Sequence, residues 1–262
     1  MFSFYRQTLT AFLVFCLSIL GIGWIQLPKM QKLLRKEKTV SLADLKKEVQ
    51  AEKFRLDLLK KLPTFGFDNV MANWTYLNFL LYFGDDEVRE RSGYNLSPEY
   101  FEYILQKDPK FIHAYLSLST STSMYAGMPD RAVNIAARGL KSLSPQVPKK
   151  SYFVWRYKGI DELLFLGDSQ AAKKSFNSAA NWASQNSDPQ SQLIAKISRG
   201  TANFLKRKPD SKYAQISAWS MVLNNGNDEN TQKRAIAAIQ ALGGEVIPTP
   251  EGSYKIKLPR QD

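Results

Sequence analysis

The chain has 262 residues, 36 Lys and Arg against 24 Asp and Glu, and a formal net charge of +12. Its apolar content of 44% suits a protein with a core, and the basic excess points to a negatively charged partner: anionic lipid, nucleic acid or an acidic protein face. One cysteine, Cys16, excludes an intrachain disulfide, and one histidine, His113, excludes a Cys/His zinc site and a Cys–His nucleophile pair outside the apolar N-terminal stretch.

Residues 1–28 read as a transmembrane anchor. No charge occurs between Arg6 and Lys29, and the run from Leu9 to Ile25 is apolar on every face. Roughly 20 such residues cross ~30 Å of hydrocarbon as a helix. Tyr5 and Trp24 fit the aromatic belts at its two ends. A cleaved signal peptide and an internal core helix are the competing readings. Trp24 and Ile25 after Gly23 make a poor cleavage site, and Phe15 is bulky where a lipoprotein signal before Cys16 needs a small residue.

Residues 29–63 read as a basic juxtamembrane linker and helix. Lys29, Lys32, Arg35, Lys36 and Lys38 are offset only by Glu37. The positive-inside rule then places the following domain on the cytoplasmic side rather than exported. The same cations can hold the domain against anionic headgroups, at ~1 kcal/mol each. Ser41 with Asp44 is a helix start, and Leu42, Leu45, Val49, Leu56 and Leu59 form one apolar stripe broken by Glu52. The stripe either pairs with a second copy or packs on the domain that follows. Pro63 ends the helix.

Residues 64–243 alternate helical stretches with short breaks at Gly, Pro and Asp. Two segments are self-similar. Gly127 is followed by Ala132, Ala136 and Gly139, and Gly167 by Ala172, Phe176 and Ala179. The glycine permits a tight turn between antiparallel helices, and the small residues let the second helix approach the first. Tyr115 and Ser119 precede Gly127 as Trp155 and Gly159 precede Gly167, and Trp74 before Gly84 is a more degenerate copy whose second helix runs from Pro98 to Gln106. Pro109 and Pro145 lie 36 residues apart and the two glycines 40, so the period is loose.

Here the chain resembles the tetratricopeptide repeat family over residues ~68–188, with weaker helical continuation to ~243. The set Gly167, Ala172, Phe176, Ala179 matches best. Asn78 stands where a small residue is expected and Lys158 where a Leu is expected, and the helices before Gly127 and Gly167 carry an extra residue. A non-repeating helical bundle is the alternative. The resemblance implies an all-α fold: a transmembrane helix, then a solenoid of antiparallel helix pairs with a concave face made by the first helix of each pair. It implies groove residues Thr75, Phe79 and Tyr82, then His113, Leu116 and Thr120, then Phe153, Arg156 and Ile160. Phe79 and Phe153 stay open between the groove and burial against neighbouring helices. The plan also resembles membrane-anchored bacterial and plastid assembly factors, which would make the cytoplasmic side the stroma in a plastid.

Further helices open at Asp188-Pro189, at Asp210-Ser211 and at Asn227-Asp228, the last stopping at Gly243-Gly244. Residues 244–262 read as a two-strand hairpin and tail, Glu245–Ile247 against Tyr254–Leu258, which must lean on the last helices to be stable.

No phosphate loop, HExxH or CxxC occurs. His113 has no second histidine, Asp85-Asp86-Glu87 suits a helix start, and Asp161 and Glu162, being adjacent, point different ways. The reading is a non-enzyme with no metal, cofactor or small-molecule substrate. About half of the excess positive charge lies between Lys29 and Lys61, which favours a membrane surface over nucleic acid as the negative partner. The expected function is a membrane-tethered adaptor or scaffold that binds another protein or peptide segment in a groove, assisting assembly of a membrane complex. The alternative is a permanent structural subunit of such a complex, its anchor packing through Gly21 and Gly23.

Overall fold

The computed structural model describes residues 12–24, 26–27, 30, 41–209, 211–225, 229–249 and 254–260. The chain divides into two compact units, residues 1–47 and 48–262.

In the first unit, α1 (residues 12–24) is helical and turns its large side chains outward. Phe12, Phe15, Leu17, Leu20, Ile22 and Trp24 are each more than half exposed. The Ser18 hydroxyl donates to the Val14 carbonyl at 2.8 Å, so the one polar side chain on this stretch is satisfied within its own helix. Among the described residues no helix is long and apolar enough to cross a membrane. The expected anchor, residues 1–28, is described only in part, and the described run of α1 is roughly 20 Å long at 1.5 Å per residue. Lys29, Lys32, Arg35, Lys36 and Lys38 lie outside the described residues. Ser41 does start α2 (Leu42–Lys61): its Oγ accepts the Asp44 N–H at 3.2 Å and donates to the Asp44 carboxylate at 2.7 Å.

The second unit is mostly helical, closed by one antiparallel hairpin. Its elements are the rest of α2, then α3 (Asp68–Phe83), α4 (Asp86–Ser92), α5 (Ser97–Lys107) and α6 (Ile112–Leu118), which runs into a π-helical turn, Ser119–Tyr125. There follow α7 (Pro129–Leu140), α8 (Tyr152–Leu164), α9 (Ser169–Ala183), α10 (Pro189–Arg207), α11 (Lys212–Asn225), α12 (Glu229–Ala241), β1 (Glu245–Pro248) and β2 (Tyr254–Lys257).

The stripe on α2 packs on the domain. Leu56 and Leu59 are buried, and Val49 lies against the same core as Tyr100, Phe101 and Ile104 of α5. Glu52 interrupts that stripe because it has polar partners there: Arg55 donates to it from Nε at 2.9 Å, and the Tyr100 hydroxyl bonds it too. Lys60 of α2 and Arg131 of α7 both bind Glu99 of α5 at 2.8 Å, which ties three helices through one carboxylate.

The extra residue that the sequence places before Gly127 is absorbed by the π-helical turn. Ala126 N–H reaches Ser121 O, five residues back, at 2.9 Å, and Met128 N–H reaches Thr122 O at 2.8 Å. Forty residues on, the helix before Gly167 ends the same way, with Leu166 N–H on Asp161 O at 3.2 Å and Asp168 N–H on Glu162 O at 2.8 Å. Both glycines take left-handed φ, 68° and 67°. Ala132 and Ala172, five residues after each, are fully buried. The two helix pairs, α6–α7 and α8–α9, therefore share the same two backbone bonds at their turns, to which Asp168 adds a side-chain cap that Met128 does not supply. The first pair is different. Gly84 has φ −83°, and α4 is inserted before α5, started by Asp85, whose carboxylate accepts the Val88 N–H. Trp74, Leu77 and Leu81 are exposed rather than packed as Tyr115 is, so this segment departs from the other two copies more than expected.

The last three helices and the hairpin follow the sequence reading. Glu245 pairs with Lys257 and Val246 with Ile256. Val246, Tyr254 and Ile256 lean on Ile216, Trp219, Leu223 and Ile239 of α11 and α12, the support a lone hairpin requires. Asp168 and Asp188 cap α9 and α10, each accepting a backbone N–H at 2.9 Å. Asp168→Ala should lower stability by about 1 kcal/mol in a denaturant melt; a variant as stable as wild type would remove that cap from the account.

Candidate binding surface

The expected groove residues are not all on one open face. Thr75 and Phe79 are buried. Phe79 is enclosed by aromatic rings, Phe101 at 4.5 Å and Phe83 at 5.5 Å between centroids, so burial and not display is its role. His113 and Leu116 are exposed on α6, and Thr120 is half-buried in the π-helical turn. On α8 the expected residues are half-buried rather than open. Phe153 packs against a cluster that includes Ala195 of α10, the Arg156 Nη1 donates to Ser198 Oγ of α10 at 3.2 Å, and Ile160 packs against a cluster that includes Ala202 and Leu205. Burial holds the Arg156 pKa below its ordinary value. Tyr82 lines a cleft on a different side, described below.

What stands open is a face to which the repeat pattern assigned packing rather than binding. Val70, Trp74, Leu77 and Leu81 are spaced four, three and four residues apart on α3, and are 60%, 45%, 59% and 76% exposed. That spacing is one stripe. The opposite face of α3, Ala72, Thr75 and Phe79, fills the core, so the helix is apolar on both sides. Leu58 of α2 and Leu62, Phe65 and Phe67 of the segment between α2 and α3 are also exposed. Arg55 links the two helices, its guanidinium 5.2 Å from the Trp74 ring centroid and its Nη1 3.4 Å from the Asn78 amide oxygen. Large exposed apolar patches are a common mark of interaction surfaces.

One end of the stripe opens into a cleft of about 440 Å³ lined by Val49, Glu52, Arg55, Asn78, Leu81, Tyr82, Arg89 and Tyr100, with Glu48 at its edge. Arg89 is 7% exposed. Its Nη1 donates to the Gly93 carbonyl at 3.2 Å and its guanidinium lies 4.0 Å over the Tyr82 ring. The Tyr82 hydroxyl accepts the Leu96 N–H at 3.2 Å, which fixes the ring under the cation. Among the described residues Arg89 has no carboxylate within ion-pair distance, and its Nε has no hydrogen-bond partner.

No family model, curated protein or solved structure matches this chain. Geometry alone therefore bears on what this surface does.

The other buried charges are internally satisfied. Lys158 pairs with Glu162 one helical turn on, and the Ser175 hydroxyl donates to the same carboxylate at 2.6 Å. The unexpected Lys158 is thus one half of an ion pair within α8, which Ser175 of α9 joins. Asp161 accepts from the Ser119 hydroxyl at 2.7 Å. Among the described residues no group of His, Cys, Asp and Glu is placed to hold a metal. The open stripe has one signal in the sequence, an α3 with apolar residues on every side and not on one. Arg89 has none, since it sits in Asp85-Asp86-Glu87-Val88-Arg89-Glu90-Arg91, a run that reads as a solvated face.

Proposed function

We propose that the chain is a membrane-tethered, protein-binding adaptor or scaffold built from tetratricopeptide-like helix pairs, and that it assists assembly of a membrane protein complex. The observation that carries the binding part is the open apolar stripe on α3 with the neighbouring residues of α2. Water-facing Val70, Trp74, Leu77 and Leu81 gain of order 1.5–3 kcal/mol apiece when fully covered, so a partner helix or strand laid along them is stabilised. The tether reading rests on the uncharged N-terminal run and on α1, whose apolar side chains face outward on all sides. A tether raises the partner's effective concentration near the bilayer. The groove assigned by resemblance is replaced in this proposal by the α2–α3 face.

The test pairs Trp74→Asp with Leu77→Asp in the full-length chain. Both side chains are solvent-facing, so the variant should keep its helical circular dichroism and its resistance to extraction by alkaline carbonate. After mild detergent solubilisation it should lose a co-purifying protein that the wild type retains. Equal retention by both chains would refute docking on this face, and release of wild type by carbonate would refute the tether. The alternative, a permanent subunit, draws on Gly21 and Gly23, where an added Cβ meets nothing within 4 Å and another helix could approach closely. Sizing separates the two: a fixed stoichiometry in every preparation marks a subunit.

A further inference from the structure

We propose that the outer face of α9 and α10 lies against a bilayer surface of anionic headgroups, so that the helical unit is oriented on the membrane as well as tethered to it. This rests on the tether reading above and adds a lipid contact made by the helical unit itself.

Two stripes build the face. On α9, Gln170, Lys174, Asn177 and Asn181 recur at spacings of four, three and four residues, and all are exposed. On α10, Gln192, Lys196, Arg199, Asn203 and Lys206 recur at four, three, four and three, and are exposed too. The two helices pack on each other. The Arg199 Nη2 donates to the Asn181 Oδ1 at 3.4 Å, which joins the stripes into one surface.

Neither helix contains Asp or Glu. With Lys173 and Arg207, which adjoin the stripes, the two helices carry six cations. The one acid in residues 169–207, Asp188, caps α10 and is bonded to Ser191. Cations elsewhere are matched: Lys60 and Arg131 meet Glu99, Lys233 meets Glu229 and Lys257 meets Glu245. A solvated helix face ordinarily mixes both signs. Cations interleaved with amides and no acid repel one another until an anionic surface meets them.

The margin of the face selects lipid. Leu193 and Ile197, one residue on from Gln192 and Lys196, are 55% and 42% exposed. Cations beside an apolar margin suit a helix lying in a headgroup layer, with the apolar side chains at the acyl boundary and the long basic stems reaching phosphates. A nucleic-acid backbone offers nothing to Leu193 and Ile197, and neither stripe has an aromatic side chain for a base to stack on. The tether favours lipid again. It holds the face at high effective concentration near the headgroups, so several weak charge contacts suffice.

The test places the full-length chain in nanodiscs of phosphatidylcholine alone or of phosphatidylcholine mixed with phosphatidylserine, and labels lysines with an amine-acetylating reagent read by mass spectrometry. Labelling of Lys174, Lys196 and Lys206 should fall by about threefold or more in the anionic discs. Lys255, exposed on β2, should change little and serves as the control. Asn177→Glu with Asn203→Glu leaves every probed lysine in place and should erase the difference between the two lipids. A short RNA duplex added to the neutral discs should leave labelling unchanged. Equal labelling in both lipids, a fall shared equally by Lys255, or protection by RNA without protection by phosphatidylserine would each overturn the proposal. The lipid comparison needs no variant, so it stands even where the double Glu variant does not fold. Equal labelling of a chain that stays with the disc overturns the face and leaves the tether, whereas a chain that does not stay with the disc sinks both.

Discussion

Alanine at Gly139 is expected to destabilise the helical unit by about 3 kcal/mol or more, a large share of the stability of an ordinary domain. A Cβ built there falls 1.9 Å from the Tyr115 hydroxyl oxygen and 2.7 Å from the ring carbon that bears it. Tyr115 cannot swing away. It is 1% exposed within the core of α5, α6 and α7, and its hydroxyl is tied to the Pro109 carbonyl at 2.8 Å. α7 must then lift from α6, opening contacts around Ile135 and Leu140 as well. Gly167 is the control. It has φ 67° with nothing within 4 Å of an added Cβ, so Gly167→Ala pays only the local cost of a left-handed residue, about 1–2 kcal/mol. Denaturant unfolding of both variants checks the ranking. Adding Tyr115→Leu to Gly139→Ala should cost less than the sum of the two single changes, since it removes the obstruction. A Gly139→Ala variant as stable as Gly167→Ala would contradict the packing described for this pair.

The second large effect is a pH dependence that runs opposite to the usual carboxylate pattern. Asp161 is 2% exposed, and burial pushes its pKa up to about 7, with the neighbouring Glu162 charge adding to the rise while the Ser119 and Ser123 hydroxyls oppose it. The folded chain therefore keeps the Asp161 proton at a pH where the unfolded chain has released it. The contribution is fully present below about pH 4 and is lost as pH rises through about 7. The span is on the order of 3–4 kcal/mol at ~1.4 kcal/mol per unit. Asp161→Asn keeps an acceptor for Ser119 without the ionisable proton. It should remove this dependence, so that variant and wild type differ little below about pH 4, and the variant is the more stable by roughly 2 kcal/mol at pH 5 and roughly 4 kcal/mol at pH 8. Unfolding free energies at pH 5, 6, 7 and 8 measure the difference directly. A difference that stays flat across that range would show that Asp161 is ionised in the folded chain throughout.

The elements most legible in the sequence were those set by local chemistry. Ser41 and Asp188 start helices because their side chains accept backbone N–H groups within the next turn. Gly127 and Gly167 end helices because only glycine takes their φ without cost. The small residues Gly139 and Gly159 marked close helix contacts, against Tyr115 and against Ser175 and Phe176. The surplus residue before Gly127 became a π-helical turn. The groove was less legible, because its residues were assigned from a repeating pattern in which each first helix displays the same face. On α8 that assumption is met only in part, because Phe153, Arg156 and Ile160 are half-buried and Arg156 is bonded to Ser198 of α10. Thr75 is buried instead of displayed, and Phe79 takes the buried one of its two alternatives, for another reason: α3 has two apolar faces, and spacing alone does not say which one meets the core. Arg89 was hidden because a guanidinium in a charged run is ordinarily solvated. Its burial comes from Tyr82 and Gly93, contacts made by the fold around α4.

The most direct test of the account places a photoreactive residue at Leu77, on the open stripe, and another at Lys196, exposed on α10, in the full-length chain in its native membrane. Illumination should join the Leu77 probe to one discrete protein and leave the Lys196 probe without that product. No product at Leu77, or the same products from both positions, would contradict the claim that the α2–α3 face is where this protein holds its partner.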